Sequence, residues 1–500
     1  MNALDPKELI EEIYDSDFGF RLTNFSIKPV HVANGLGRGL VGRTYDTTAL
    51  TRTLRRYVRN QRKGIDEERN PNKNILDDYP ETFESLDGQE PNLDRLTRLR
   101  TLAFDVLAAD DAVFPDQQSF TFSNERFITQ DISDVRMGLF LARLLTSEPK
   151  NRTNAADCIR NLLSTEYDAW TTLALPLITI GDPQDVIYGK DKAERATKSE
   201  HLFTANKKLL KSPTLNNLRE AYDRLARFEE RSGSKLNSLR RLMLFGCFVL
   251  HVHSVSRWSE VESGAPKPPI LLDLFDGRVI SVRDASRSTV RAAGDSIEGL
   301  IRFRFKEFIT NKYGSTDEKI KNNIISAKEI TKEYKSRFEI YLRGGMEPLN
   351  AVTRTFVEYS FEKIREHPVG ALIELGRRAG FLTPWANVGR GGKLQKRYTV
   401  TAEFLETLIG SIVEPKFPLE FPEFLDKLRE YFGIIVGRPE DDLIIRSNNL
   451  FETKFGTPTS INEGDLRENV ERMRQLIIET GYAKAYADGQ TVVMTEPEGL

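Results

Sequence analysis

Glycines and cations are most densely interleaved in NVGRGGKLQKRYTV, Asn387 to Val400. Here Gly389, Gly391 and Gly392 alternate with Arg390, Lys393, Lys396 and Arg397 ahead of an alternating Tyr-Thr-Val. Glycine lets a backbone approach a surface closely. Lysine and arginine neutralise phosphates, so the combination suits a basic finger laid along a sugar-phosphate chain. Arg377 and Arg378, near the end of the preceding helical stretch, are placed to add to the same face. The competing reading is a solvated hairpin that touches nothing. If the four cations are exposed, replacing them should cost within about 0.5 kcal/mol each.

A second glycine cluster, NGLGRGLVGRT, contains Gly37-x-Gly39-x-x-Gly42. FSIKPVHVA (25–33) reads as a strand before it and TALTRTLRRYVRNQR (48–62) as a helix after it, so the dinucleotide-binding fingerprint has to be weighed. The downstream context fails, because a polar loop follows in place of a second apolar strand ending in an acid. Nor does Gly-Lys-Ser/Thr follow, which excludes a P-loop. No cofactor is expected. The helix itself carries Arg52, Arg55, Arg56 and Arg59, followed by Arg62 and Lys63, and several share one face. With the glycine loop at its N-terminus this face suits a polyanion. The plainer reading is a tight turn and a solvated helix paired with the acidic loop behind it.

Other chemistries find less support. His251 and His253 in FVLHVHSV point to different faces of one helix, so they are expected to be packed and not joint metal ligands. Cys158 and Cys247 lie in no metal spacing and read as buried free thiols of a reducing compartment. Asp441 and Asp442 in DDLIIRS and the Asp273/Asp276 pair lack the lysine of a nuclease motif. In LIRFRFKEF, Ile301, Phe305 and Phe308 fall on one helical face, which favours packing over single-strand stacking. No catalytic residue and no metal ligand is expected.

The elements that must position these groups follow from length and pattern. Five hundred residues, 39% apolar and 29% charged, allow two to four domains. Lys plus Arg (72) balances Asp plus Glu (74), so any electrostatic function depends on local segregation of charge. The N-terminus lacks the pattern of a signal peptide and no apolar run approaches a membrane span, so a cytoplasmic chain without a membrane partner is expected. The fold class is mainly α with minor β. It divides into a mixed α+β N-terminal domain (1–145), a helical middle (146–343), and two C-terminal units (346–413 and 414–500) beyond the Gly344-Gly345 pair. GAPKPPILLDLFDGRVISV interrupts the helices as a hairpin or extended crossing. YAKAYADGQTVVM reads as a hairpin with Asp488-Gly489 at its tip.

The stretch from about Ala371 to Ile412 resembles the second half of a winged helix. In that family a helix ending Leu-x-x-x-Gly-Leu/Phe-Leu enters a two-stranded wing whose return strand reads Tyr-x-Leu/Val-Thr before the next helix. LGRRAGFL, GRGGKLQK and RYTVTAEFLETLI match those three parts. The stretch from 415 to 496 resembles a second copy with an acidic tip, AYADGQ, which suits protein contact or a structural role. The whole is similar to large subunits of bacterial phage-defence gene clusters. The resemblance implies a non-catalytic, DNA-engaging or scaffold subunit of an assembly that also holds an ATPase or nuclease. Double-stranded DNA and other protein subunits are the implied partners. An adaptor whose winged helices touch only protein is the main alternative, and an enzyme with an unrecognised site is the third.

Overall fold

The structure, a computed structural model, describes residues 6–22, 27–44, 124–128, 134–146, 154–164, 184–185, 208–265, 267–327, 330–364, 368–383, 396–441 and 463–495. It is mainly α-helical with minor β, as the periodicities predict.

The first layer is built around helices α1 (Pro6–Ile13), α2 (Pro29–Val41), α3 (Met137–Thr146) and α4 (Asn154–Ser164). Here the sequence reading needs correction. Of the expected strand over 25–33, residues 29–33 instead begin a helix, with Pro29 at its first position, where a missing N–H costs nothing, and 25–26 lie outside the described residues. The Lys28 N–H donates to His31 Nδ1 (3.2 Å) and closes the first turn. The glycine cluster lies inside this helix, not in a loop. A Cβ on Gly35 would collide with Asp134, one on Gly39 with Ala142, and one on Gly138 with the α2 backbone. The glycines are therefore the contact surface of two closely crossing helices. Arg52, Arg55, Arg56 and Arg59 lie outside the described residues.

The middle is carried by α5 (Pro213–Glu229), α6 (Lys235–Val261) and the long α7 (Ile280–Tyr313). Ser212 and Ser234 cap α5 and α6 by accepting from Leu215 N–H (3.3 Å) and Asn237 N–H (3.5 Å). Helix α6 is buried on every side over its central turns, which identifies it as the axis of the core. Between α6 and α7 the chain is extended. Strand β3 (Ile270–Leu271), which follows the antiparallel pair β1 (Arg43–Thr44) and β2 (Gln184–Asp185) in chain order, runs parallel to a strand at Ile434–Ile435, and Leu272 bridges to Tyr398. The Asp276-Gly277 turn then reverses the chain, both residues at positive φ (54° and 79°).

After α8 (Asp317–Ser326) and α9 (Lys332–Arg343) the helix ends at the glycine pair, with Gly345 left-handed at φ 82°. The core does not end there. Helix α10 (Pro348–Ile364) packs on α7 and α9, and one cluster of buried apolar side chains runs from Ile10 to Val493.

Helix α11 (Pro368–Ala379) leads into antiparallel strands β4 (Leu382–Thr383) and β5 (Arg397–Tyr398). Next come α12 (Ala402–Ile412), β6 (Leu419–Glu420), α13 (Phe421–Phe432), β7 (Ile434–Ile435), α14 (Glu463–Glu479), β8 (Ala483–Ala485) and β9 (Thr491–Val493). The last three-stranded sheet has the order β6-β9-β8. Its hairpin turns at Gly489 (φ 85°), the position expected from Asp488-Gly489.

Candidate nucleic-acid interface

The base of the β4–β5 hairpin is set by the core beneath it. Phe381 and Tyr398 are 1% and 0% exposed, so the strands cannot slide without dragging two aromatic rings out of the core. The Phe248 ring on α6 meets Phe381, Phe404 and Phe432 edge-on, at 5.2, 5.1 and 5.4 Å between centroids. His251 Nε2 lies 2.8 Å from the Tyr398 hydroxyl. Burial drives the His251 pKa down to about 3, and the same cause raises that of Tyr398. Both groups are neutral partners near neutral pH. His253, on the opposite face, contacts the Phe18 carbonyl (3.1 Å) and stacks on Phe140, so the two histidines are packed apart, as expected.

Backbone pairing then fixes the cations. The Tyr398 N–H donates to Ser286 Oγ on α7 (2.8 Å), and its carbonyl accepts from the Asp273 N–H (2.9 Å). These bonds put Arg397 between Asp273, 2.7 Å from its Nε, and Asp276, 2.7 Å from its Nη2. Asp273 is fully buried, whereas Asp276 is 79% exposed on its side chain. Burial raises the Asp273 pKa, opposed by the Phe275 N–H and the Arg397 charge. A Cβ on Gly277 would sit 3.0 Å from the Arg397 guanidinium carbon, so that turn has to be glycine for the arginine to lie across it.

Arg397 is therefore a buried structural cation, not the exposed phosphate contact expected of it. Lys396 is also buried, at 2% exposed. Desolvation lowers its pKa, and the nearby Arg377 charge lowers it further against the pull of Glu374. Arg377 and Arg378 occupy the last turn of α11, half-buried, at 2.9 and 3.9 Å from the same Glu374 oxygen. Thus Arg377, Arg378, Lys396 and Arg397 are brought together at the hairpin base. Arg390 and Lys393 lie outside the described residues, as do Arg52, Arg55, Arg56 and Arg59.

Three cations at this face were missed by the sequence reading. Arg283 and Arg287 follow the Asp276-Gly277 turn on α7 and share Asp284 at 2.9 and 3.0 Å; Arg291 comes one turn later. The Arg287 pKa is lowered by burial and then by the charges of Arg283 and Arg397, which places three guanidinium groups within reach of one another. The signal was present as an i, i+4, i+8 spacing in VRDASRSTVRAAG, whose arginines fall between the stretch that reads as extended (264–282) and the helical pattern that resumes at Ser296.

Among the described residues no group of histidine, cysteine, aspartate or glutamate could hold a metal ion. Both cysteines are buried, and desolvation pushes the Cys158 thiol up to about 12, which removes its nucleophilicity. No helix of the described residues is long and apolar enough to cross a membrane. The sequence matches no family model, no curated protein and no solved structure.

Proposed function

We propose that the chain is a non-catalytic subunit that engages double-stranded DNA through the β4–β5 hairpin within a larger bacterial assembly. In this reading α10, α11 and the hairpin act as a winged helix, and Arg390 and Lys393, which fall between its two strands in sequence, contact the sugar-phosphate backbone. The observation that carries it is the convergence of Lys396, Arg377 and Arg378 at the hairpin base, where like charges gather at an electrostatic cost. A polyanion against the half-buried Arg377 and Arg378 offsets that cost. The final unit, counted together with α12 of the unit before it, supports the same reading, because α12, β6, α13, α14, β8 and β9 follow the helix-strand-helix-helix-strand-strand order of a winged helix, with β7 added between α13 and α14 and paired to β3. A role in phage defence beside an ATPase or nuclease remains the resemblance drawn from sequence.

The test is a salt titration of duplex binding by wild type and by Arg390→Ala/Lys393→Ala. Each lost phosphate contact should flatten the slope of log K against log salt by about 0.9, so the double variant should lose about 2. Wild-type binding that does not vary with salt, or identical slopes, would overturn the reading.

An adaptor role for the final unit is favoured by one observation. Asp488 stands at the tip of its hairpin, and the flanking Tyr486 is exposed. An acidic tip repels phosphate and suits protein. Pull-down of a partner subunit that survives the hairpin variant but not Tyr486→Ala would assign the two units separate partners.

A further inference from the structure

The solvent-side stripe of the first three turns of α7 begins at the exposed Ile280 and continues with Arg283, Asp284, Arg287, Ser288, Arg291 and Ala292, all half-buried, while the residues between them are buried. Asp284 is the one carboxylate of the stripe. Further along the same helix the stripe changes character, with Asp295 and Glu298 preceding Arg302. The cationic bias is therefore confined to the part of α7 that Ser286 ties to Tyr398 in the hairpin base.

We propose that Arg283, Arg287 and Arg291 form a second phosphate-contacting strip, which with the hairpin holds one backbone of a DNA duplex without reading its bases. This deepens the DNA reading of the hairpin and rests on it. The three arginines rise about 6 Å per step along the helix axis, comparable with the spacing of successive phosphates on a strand. They are fixed to a rigid element that is buried on its other face, so little side-chain order has to be gained on binding. Guanidinium groups on a helix face present forked donors to phosphate oxygens. The strip contains no aromatic side chain, and the neighbouring Phe381 and Tyr398 are buried, which favours a duplex backbone over stacked single-stranded bases.

Asp284 supplies the test of sign. It competes with phosphate for Arg283 and Arg287, so removing it should strengthen binding, an effect that a merely structural ion pair would not produce. Duplexes of 20 base pairs in two unrelated sequences are titrated between 50 and 200 mM salt against four proteins. These are wild type, Arg283→Gln/Arg287→Gln/Arg291→Gln, Asp284→Asn, and the Arg390→Ala/Lys393→Ala tip variant. The triple variant should weaken binding at least tenfold on both sequences and flatten the salt slope by about 2 to 3. Asp284→Asn should tighten binding severalfold. If the tip variant loses affinity while the triple variant keeps the wild-type slope, the strip is overturned and the hairpin reading stands. If wild type shows no salt-dependent binding, both fail. Equal affinity for a 20-nucleotide single strand would overturn the duplex assignment. Should the triple variant unfold, as thermal melting would reveal, Asp284→Asn keeps every arginine and decides alone: unchanged or weaker binding sinks the strip.

Discussion

The two hairpin-bearing units of the C-terminal third use ion pairs for opposite ends. Together with α12, the final unit spends its charges inward, on docking. Arg241 of α6 makes a two-pronged contact with Glu229 (2.5 and 2.7 Å) and reaches Glu406 of α12 (3.3 Å), which also receives the Tyr482 hydroxyl. Arg240 meets Glu403 at 2.7 Å and Arg227 meets Glu414 at 2.8 Å. Around the β4–β5 hairpin one cation, Arg397, is used in the same way, while Arg377 and Arg378 are tempered by Glu374, and Arg283 and Arg287 on α7 by Asp284. The difference separates cations that tie two elements together from cations that gather near one another, a distinction composition cannot draw.

The largest expected effect breaks the docking side. Arg241→Met leaves Glu229, which is fully buried on its side chain, without a counter-charge, and should cost about 3 to 5 kcal/mol. Urea unfolding measures it, and the salt slope of DNA binding by the folded protein should stay at the wild-type value. Arg397→Gln tests whether the hairpin base obeys the same rule. Asp273 still accepts the Phe275 N–H (3.0 Å), so a smaller loss of about 2 to 4 kcal/mol is expected. A loss below 0.5 kcal/mol would return Arg397 to the exposed, partner-facing class.

A third effect is set by pH. In the folded chain His251 is held near pKa 3, below the 6.5 of an exposed imidazole. Unfolded protein therefore binds a proton that the folded protein refuses. This contribution is complete above pH 6.5 and is lost as pH falls toward 3, at about 1.4 kcal/mol per unit. His251→Gln, which can still hydrogen-bond the Tyr398 hydroxyl, should give a shallower decline of stability between pH 6 and 4. An unaltered decline would mean that the histidine is hydrated in solution. The smallest effect sharpens the comparison by its absence. Asp488→Asn at the second tip should shift stability by less than about 0.5 kcal/mol and leave the DNA salt slope unchanged.

How much of this was legible in the sequence depends on the range of the causes. Helical periodicity marked α5, α6 and the part of α7 from Ser296 onward, and Asp488-Gly489 marked its turn, because both signals are local. The glycine cluster misled because glycine serves loops and close helix crossings alike, and only the facing Gly138, far along the chain, distinguishes them. Arg397 misled for a related reason. A cation beside glycines reads as exposed until a carboxylate more than a hundred residues earlier is brought under it. Arg283, Arg287 and Arg291 were legible by spacing, but their neighbourhood with the hairpin depends on the Ser286–Tyr398 pairing, which no window of sequence contains.

The extended segment from Ile270 to Asp273 has a consequence for how the molecule can be divided. Its N–H groups at Ile270 and Leu272 donate to Gly433 and Ile435 of the final unit, and that of Asp273 donates to Tyr398 of the hairpin. Asn469 clasps the same segment to α14 by bonding the Leu272 carbonyl (2.8 Å) and the Leu274 N–H (3.1 Å). A polypeptide severed at Gly344-Gly345 would thus place a central strand in one piece and all its partners in the other. Neither piece should persist on its own, yet the two, synthesised together, should find each other and rebuild the native particle, making this glycine pair a natural seam for a split reporter.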